Sequence, residues 1–209
     1  MFEKKQFIHL LVVSFVLIGS TLEYEDLIFE LLIRGGDATP IMPVALKTFW
    51  LADCISRFIG GFIAYYTFGR LNIWTLIIAF ATFNLIGHLL GFVIFFLGIE
   101  LGSLILVPSV IVGLASGVWV SIPLEIIRSS GLKNLGKNWG TVLLFGMLGY
   151  LVFSNASIFT GNTGKITEVL LSIFALIGLG SAYLGWKHDA EEKSLNYQVS
   201  KDDEGLNIS

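Results

Sequence analysis

Little in this 209-residue chain could hold a soluble or secreted fold together. Its one cysteine, Cys54, cannot form an internal bridge, which excludes a disulfide-stapled scaffold. Charged residues are only 14 %, where an ordinary soluble domain carries roughly 25 %. No basic patch is present to neutralise phosphates, so no nucleic-acid partner is expected. HExxH, GxSxG and phosphate-loop motifs are all missing, and no Cys/His cluster has metal-ligand spacing. The three histidines lie in three separate segments. We therefore expect no enzyme, no metal and no cofactor.

What fills the chain instead is apolar. Hydrophobic residues are 55 %, and the 23 glycines raise this to about 66 %, where roughly 45–50 % is usual. Nine of the 29 charges lie in residues 1–37 and nine in 187–209. The stretches 71–99, 101–124, 138–164 and 169–186 contain no formal charge. A helix needs roughly 20 mostly apolar residues to cross a bilayer, and barrel strands are about half as long and alternate. The reading is an all-α polytopic membrane protein. Its six spans are at about 6–33, 41–66, 72–97, 102–126, 139–160 and 166–186. Residues 1–5 form a short N-terminus, 6–186 the membrane domain, and 187–209 a polar tail expected to be disordered. The bilayer is the first partner this implies.

Lys and Arg set the orientation. Six spans place both termini on one side, together with the loops at 69–71 and 128–137. That side carries nine basic residues, and the other has Arg34 and Lys165, with Lys47 just inside the membrane. The termini are expected in the cytoplasm. The basic start MFEKKQ followed by FIHLLVVSFVLIG also fits a signal peptide cleaved near Gly19 or Ser20, which would leave five spans.

Charges inside the membrane carry the functional information, because each costs roughly 2.5–3.5 kcal/mol to insert and needs a partner or water. Asp53 and Arg57 lie four apart, one turn above the other, and fit an intramembrane ion pair. Such a pair serves either as a pathway or gating element or as a lock between helices. Glu23, Asp26 and Glu30 follow an i, i+3, i+7 pattern on one face, with Glu25 off it. They fit a proton-coupling site or a solvated helix end. Asn84 and His88 are four apart in the third span and could line a solute path or bond to a neighbouring helix. Gly87-xxx-Gly91 and Gly113-xxx-Gly117 offer close helix approach. Pro108 and Pro123 are expected to kink the fourth span.

Two segments resemble a known family. The first is Ser56-Arg57-Phe-Ile-Gly-Gly61-Phe-Ile-Ala64-Tyr65, followed by Gly69-Arg70. The second is Gly113-Leu-Ala-Ser-Gly117-Val-Trp119-Val-Ser-Ile-Pro123, followed by Gly131-Leu132-Lys133-Asn134-Leu-Gly136-Lys-Asn138-Trp139-Gly140. Together they resemble the C-terminal half of major facilitator superfamily transporters, nearest the nodulin-like, monocarboxylate-transporter-like branch. There a Gly–Arg pair in the eighth helix leads to G-x-x-[SA]-D, and a tenth helix with small residues and a proline leads to a loop GLK-x-x-G-x-N. The match is fullest in the cytoplasmic loop motif Gly131, Leu132, Lys133, Gly136 and Asn138. Ser56 replaces the usual glycine, and Tyr65 stands where the loop aspartate that helps latch one conformation is expected.

The resemblance covers roughly residues 6–186 and implies that the six spans correspond to helices seven to twelve of a twelve-helix transporter. On this reading the chain works by alternating access on a small polar or anionic solute, with or without coupling to protons, and the intramembrane polar residues Glu23, Asp26, Asn84 and Arg57 read above are the path or coupling candidates. Such transporters have two six-helix halves. A second half or a homodimer is therefore the implied partner. The rival expectation is a membrane subunit that does not transport and has a structural or assembly role.

Overall fold

The structure is a computed structural model. It describes the backbone of residues 4–34, 41–66, 72–96, 103–159 and 164–206. Within these, the side chains of Lys4, 29–34, Met42, Phe95, 157–159, 164–165 and 195–206 are outside the described set. The helices are α1 (Lys4–Arg34), α2 (Met42–Tyr66), α3 (Ile73–Phe96), α4 (Leu106–Ala115), α5 (Val118–Ser130), α6 (Leu135–Phe159) and α7 (Gly164–Leu206). Short 3-10 turns at Ser103–Ile105 and Leu132–Asn134 lead into α4 and α6, and no strand occurs among the described residues.

Among the described residues, five stretches are long and apolar enough to cross a membrane: Lys5–Ile28, Ile73–Ile94, Ser103–Ser130, Leu132–Ala156 and Ile166–Ser194. α2 has the length, 25 residues, but carries Lys47, Asp53 and Arg57. Its solvent-facing surface is nevertheless apolar, with Leu51, Phe58, Phe62 and Tyr65 all more than half exposed. The chain thus has the build of an all-helical, multi-pass integral membrane protein.

Two helical units sit at the centre. α1 buries side chains along most of its described length, from Leu10 through Val13, Leu17 and Ile18 to Leu27 and Ile28. The fourth span, α4 with α5, buries Val112, Ala115, Val118, Ile122 and Ile126. α1 packs on α6 and α7, the fourth span packs on α2 and α3, and α3 packs on α7. Exchanging the first three spans for the last three maps these pairings onto themselves. α1 and α6 approach closely where Gly19 and Gly149 meet. A Cβ on Gly149 would run into the carbonyl oxygen of Phe15. Dispersion contacts and small residues drive such packing where lipid removes the hydrophobic gain between helices.

Three expectations need correction. The helix of the fourth span is interrupted between its two prolines, at neither of them. Pro108 sits in the first turn of α4, where its missing N–H has no helical partner to lose. Pro123 lies inside α5, six residues past the break. The break falls at Ser116–Gly117, where the backbone closes with three-residue bonds, Ser116 N–H to Gly113 O at 3.1 Å and Trp119 N–H to Ser116 O at 3.0 Å. Gly117 is there because Phe80 and Ser56 press against it, and a Cβ would strike the Phe80 ring.

The second correction concerns the polar tail, which is not irregular. α7 continues without interruption to Leu206. Its sequence WKHDAEEKSLNYQVSK lacks Gly and Pro, and Asp189–Lys193 at 2.8 Å and Lys187–Glu191 at 3.8 Å are i, i+4 pairs that support a helix. The third concerns the acidic face of α1, which splits. Glu23 is 3 % exposed and turns into the bundle, whereas Asp26 is exposed and accepts a 2.6 Å hydrogen bond from the Tyr150 hydroxyl of α6. The Glu30 side chain and the Gly69–Arg70 segment lie outside the described residues.

Candidate functional site

Three groups of polar side chains among the described residues bear on function. The first is on α2. Arg57 Nε donates to Asp53 Oδ1 at 2.8 Å, and the guanidinium carbon lies 5.3 Å from the Trp119 ring centroid of α5. The two partners differ in exposure: the Asp53 side chain is 5 % exposed and that of Arg57 41 %. Ser56 donates to the Leu114 carbonyl, which ties α2 to α4 just above the break. An open groove of about 760 Å³ lies between α2 and α5, lined by Gly61, Ala64, Tyr65, Tyr66, Val120 and Leu124. Helical spacing places these groove residues beyond Arg57, towards the C-terminal end of α2. Cys54 is exposed on the same helix. Tyr65, 78 % exposed, stands on this open side.

The second place is the interior. Asn84 of α3 and Ser20 of α1 are both fully buried and hydrogen bonded at 3.0 Å. One turn along α3, His88 Nδ1 lies 3.0 Å from Glu168 Oε2 of α7, and both side chains are 0 % exposed. The Tyr24 ring packs edge-on to His88, centroids 5.7 Å apart, with its hydroxyl 3.5 Å from Ser109 of α4. Four helices thus meet around an imidazole and a carboxyl. Gly91 makes the room, since a Cβ there would lie 2.5 Å from Glu168 Oε1. The Gly87-xxx-Gly91 pair consequently does two jobs: Gly87 seats Val112 of α4, and Gly91 seats a carboxyl group.

The third place is the end of the bundle that carries the loop motif. Arg128 of α5 holds Glu125 at 2.7 and 2.8 Å and reaches Asp189 of α7 at 2.5 Å. Asp189 also accepts from Lys193 at 2.8 Å and from Asn72 Nδ2 at 2.6 Å. Glu125 is fully buried, and the network fastens α5, α7 and the start of α3 together. The motif itself forms a clasp. Gly131 takes φ +73°, a conformation that costs glycine least, and ends α5. Asn134 Nδ2 then donates to the Ser130 carbonyl and Asn138 Nδ2 to the Ser130 hydroxyl, each at 3.1 Å. Leu132 is exposed, as are Lys133 and Gly136.

The sequence-derived candidates therefore do not form one site. Asp53 and Arg57 pair within α2; Asn84 bonds to α1; Asp26 bonds to α6. Glu168, Glu125, Arg128 and Asp189 were not among those candidates. Glu168 carried a signal, since it lies three residues inside the span 166–186. Asp189 had none, because a helical tail is needed to place it. Among the described residues no group of three or more His, Cys, Asp and Glu could hold a metal. Compared with known proteins, the chain matches no family profile, no curated protein and no solved structure.

Proposed function

We propose that the chain is one six-helix half of a secondary transporter for a small anionic solute, and that the α2–α5 face is its path. One observation carries the reading. Arg57 lies near the midpoint of α2 and presents 41 % of its side chain outward, although a charge at that depth is costly in lipid. Such a guanidinium belongs against water, a solute or another protein surface. Arginine is the cation best shaped for carboxylate or phosphate oxygens. The groove beside it and the exposed Lys47 extend the same face. A second six-helix unit or a second copy would enclose that face.

The symmetric exchange of the two three-helix sets supports a sixth span through α2, since only odd-numbered repeats of this kind are inverted and place both termini on one side. The cytoplasmic orientation of the termini rests on the Lys and Arg bias. A second reading, a subunit that does not transport, is favoured by Asp53. It already neutralises Arg57, and Trp119 already covers one side of the guanidinium.

The test is a thermal-stability screen of the purified chain in lipid nanodiscs. Small carboxylates and inorganic phosphate serve as probes, each compared with matched neutral compounds. Stabilisation by one anion class, lost in Arg57→Gln, supports the path. No anion-dependent stabilisation in either the monomeric or the self-associated fraction favours the subunit. Oxidative cross-linking through Cys54 in native membranes reports whether a second copy covers the face.

A further inference from the structure

The imidazole and carboxyl enclosed between α3 and α7 neither line the groove beside Arg57 nor pair with Arg57. The His88 and Glu168 side chains are 0 % exposed and share one short contact, Nδ1 to Oε2 at 3.0 Å. At that distance a single hydrogen lies between them, given either by the ring N–H or by the carboxyl O–H. The far atoms of the same groups, His88 Nε2 and Glu168 Oε1, are buried and have no hydrogen-bond partner; nor do the flanking Thr167 and Ser172 hydroxyls. Buried polar atoms left this way are costly, and a structural tie between α3 and α7 would be made more stably by apolar residues. The pair is therefore built for something that its closed form only half satisfies.

The surroundings limit what that ligand is. Gly91 gives its side-chain space to the carboxyl itself, so the site has little room for a hydrated metal cation. A proton needs none. No lysine or arginine is buried among the described residues. α1 brings Tyr24 and, a residue earlier, the buried Glu23; α3 brings His88 and Asn84; α4 brings Ser109; α7 brings Glu168, Thr167 and Ser172. α2 approaches through Phe49, whose ring lies tilted against that of Tyr24, centroids 6.0 Å apart. The Lys165 side chain lies outside the described residues.

We propose that the His88–Glu168 couple is a proton-binding site that takes up and releases one proton. With the proton bound the couple is neutral overall, as carboxylic acid and imidazole or as carboxylate and imidazolium. Release leaves a carboxylate, a neutral imidazole and one net negative charge. The proton leaves to water at the near end of α7, which begins at Gly164, four residues before Glu168. Because no cation is buried beside the couple among the described residues, loss of the proton goes with separation of α3 from α7. The use of such a site to drive transport rests on the reading above; the binding itself does not.

Its test needs no solute. The full chain, labelled with 15N-histidine and 13C-glutamate, is titrated with acid and base in nanodiscs and followed by NMR and infrared difference spectroscopy. The expected result is one transition in which the His88 ring nitrogens and the Glu168 carboxyl change together. It vanishes in Glu168→Gln, and its midpoint moves at least tenfold in proton concentration in His88→Gln. The labelled wild-type chain gives the same reading if either variant does not fold. Three results overturn the proposal: neither group changing while the helical spectrum persists, the two changing in separate transitions, or a signal that follows sodium or potassium concentration at fixed pH. An inert couple with intact anion stabilisation would leave the α2 path standing, and a titrating couple without anion stabilisation would leave the proton site standing.

Discussion

At the scale of single residues, burial decides which half of an ion pair matters more. Asp53 and Arg57 hold each other at 2.8 Å, yet the carboxylate is enclosed and the guanidinium is half open. Arg57→Ala therefore leaves a buried charge unpaired, a loss of about 3 kcal/mol on the scale of broken buried pairs. Asp53→Ala leaves a cation that still rests on Trp119 and reaches polar surroundings, a loss of roughly 1 kcal/mol. The double variant Asp53→Ala/Arg57→Ala should lose less than either single one. Unfolding in mixed micelles measures all three. If Asp53→Ala proves the most damaging, the exposures assigned to the pair are wrong.

At the scale of elements, a polar segment becomes a helix because it is docked. The tail of α7 has the composition of a solvated terminus, but its Asp189 is drawn in by Arg128, Lys193 and Asn72. Gln6 of α1 adds a 2.8 Å bond to Glu192. Asp189→Ala removes three partners at once and leaves Arg128 with Glu125 alone. The helix beyond residue 187 should then fray, since an isolated helix of this length is marginal in water. Amide exchange should quicken several-fold across residues 187–206 and stay unchanged across residues 166–180. Equal protection in the two proteins would mean that helix propensity alone holds the tail.

At the scale of the whole molecule, everything turns on α2. If it crosses, residues 134 and 194 share one side with the N-terminus, and Asn162 lies on the other. Single cysteines are placed at Lys5, Asn134, Asn162 and Ser194 in a Cys54→Ser background. Only Asn162→Cys should then react with an impermeant thiol reagent in intact cells. If α2 lies outside the bilayer, the pattern reverses for the last three: Asn134→Cys and Ser194→Cys react, and Asn162→Cys does not. Lys5→Cys stays silent in both cases, so it controls for leakage. The experiment thus separates six spans from five without reference to any solute.

The amino-acid sequence by itself determines that this is a helical membrane protein, because charge-free runs of membrane length leave the chain no other way to satisfy its backbone. It also determines the place of the loop motif and the i, i+4 spacing of Asp53 and Arg57, since both are local. Which helical faces turn inward is not local. The sequence put Glu23 and Asp26 on one face, and packing against α6 and the core separated them. Periodicity is silent in all-apolar runs, so nothing in the sequence joined His88 to Glu168, 80 residues apart. Nor could it show that Gly91 is small for the sake of a carboxyl group on another helix. The break at Ser116–Gly117 was hidden for the same reason: prolines advertise a kink, whereas Gly117 yields to the ring of Phe80, which only the folded bundle brings there. What stands inside the protein was decided by which helices meet, and that is a property of the tertiary structure alone.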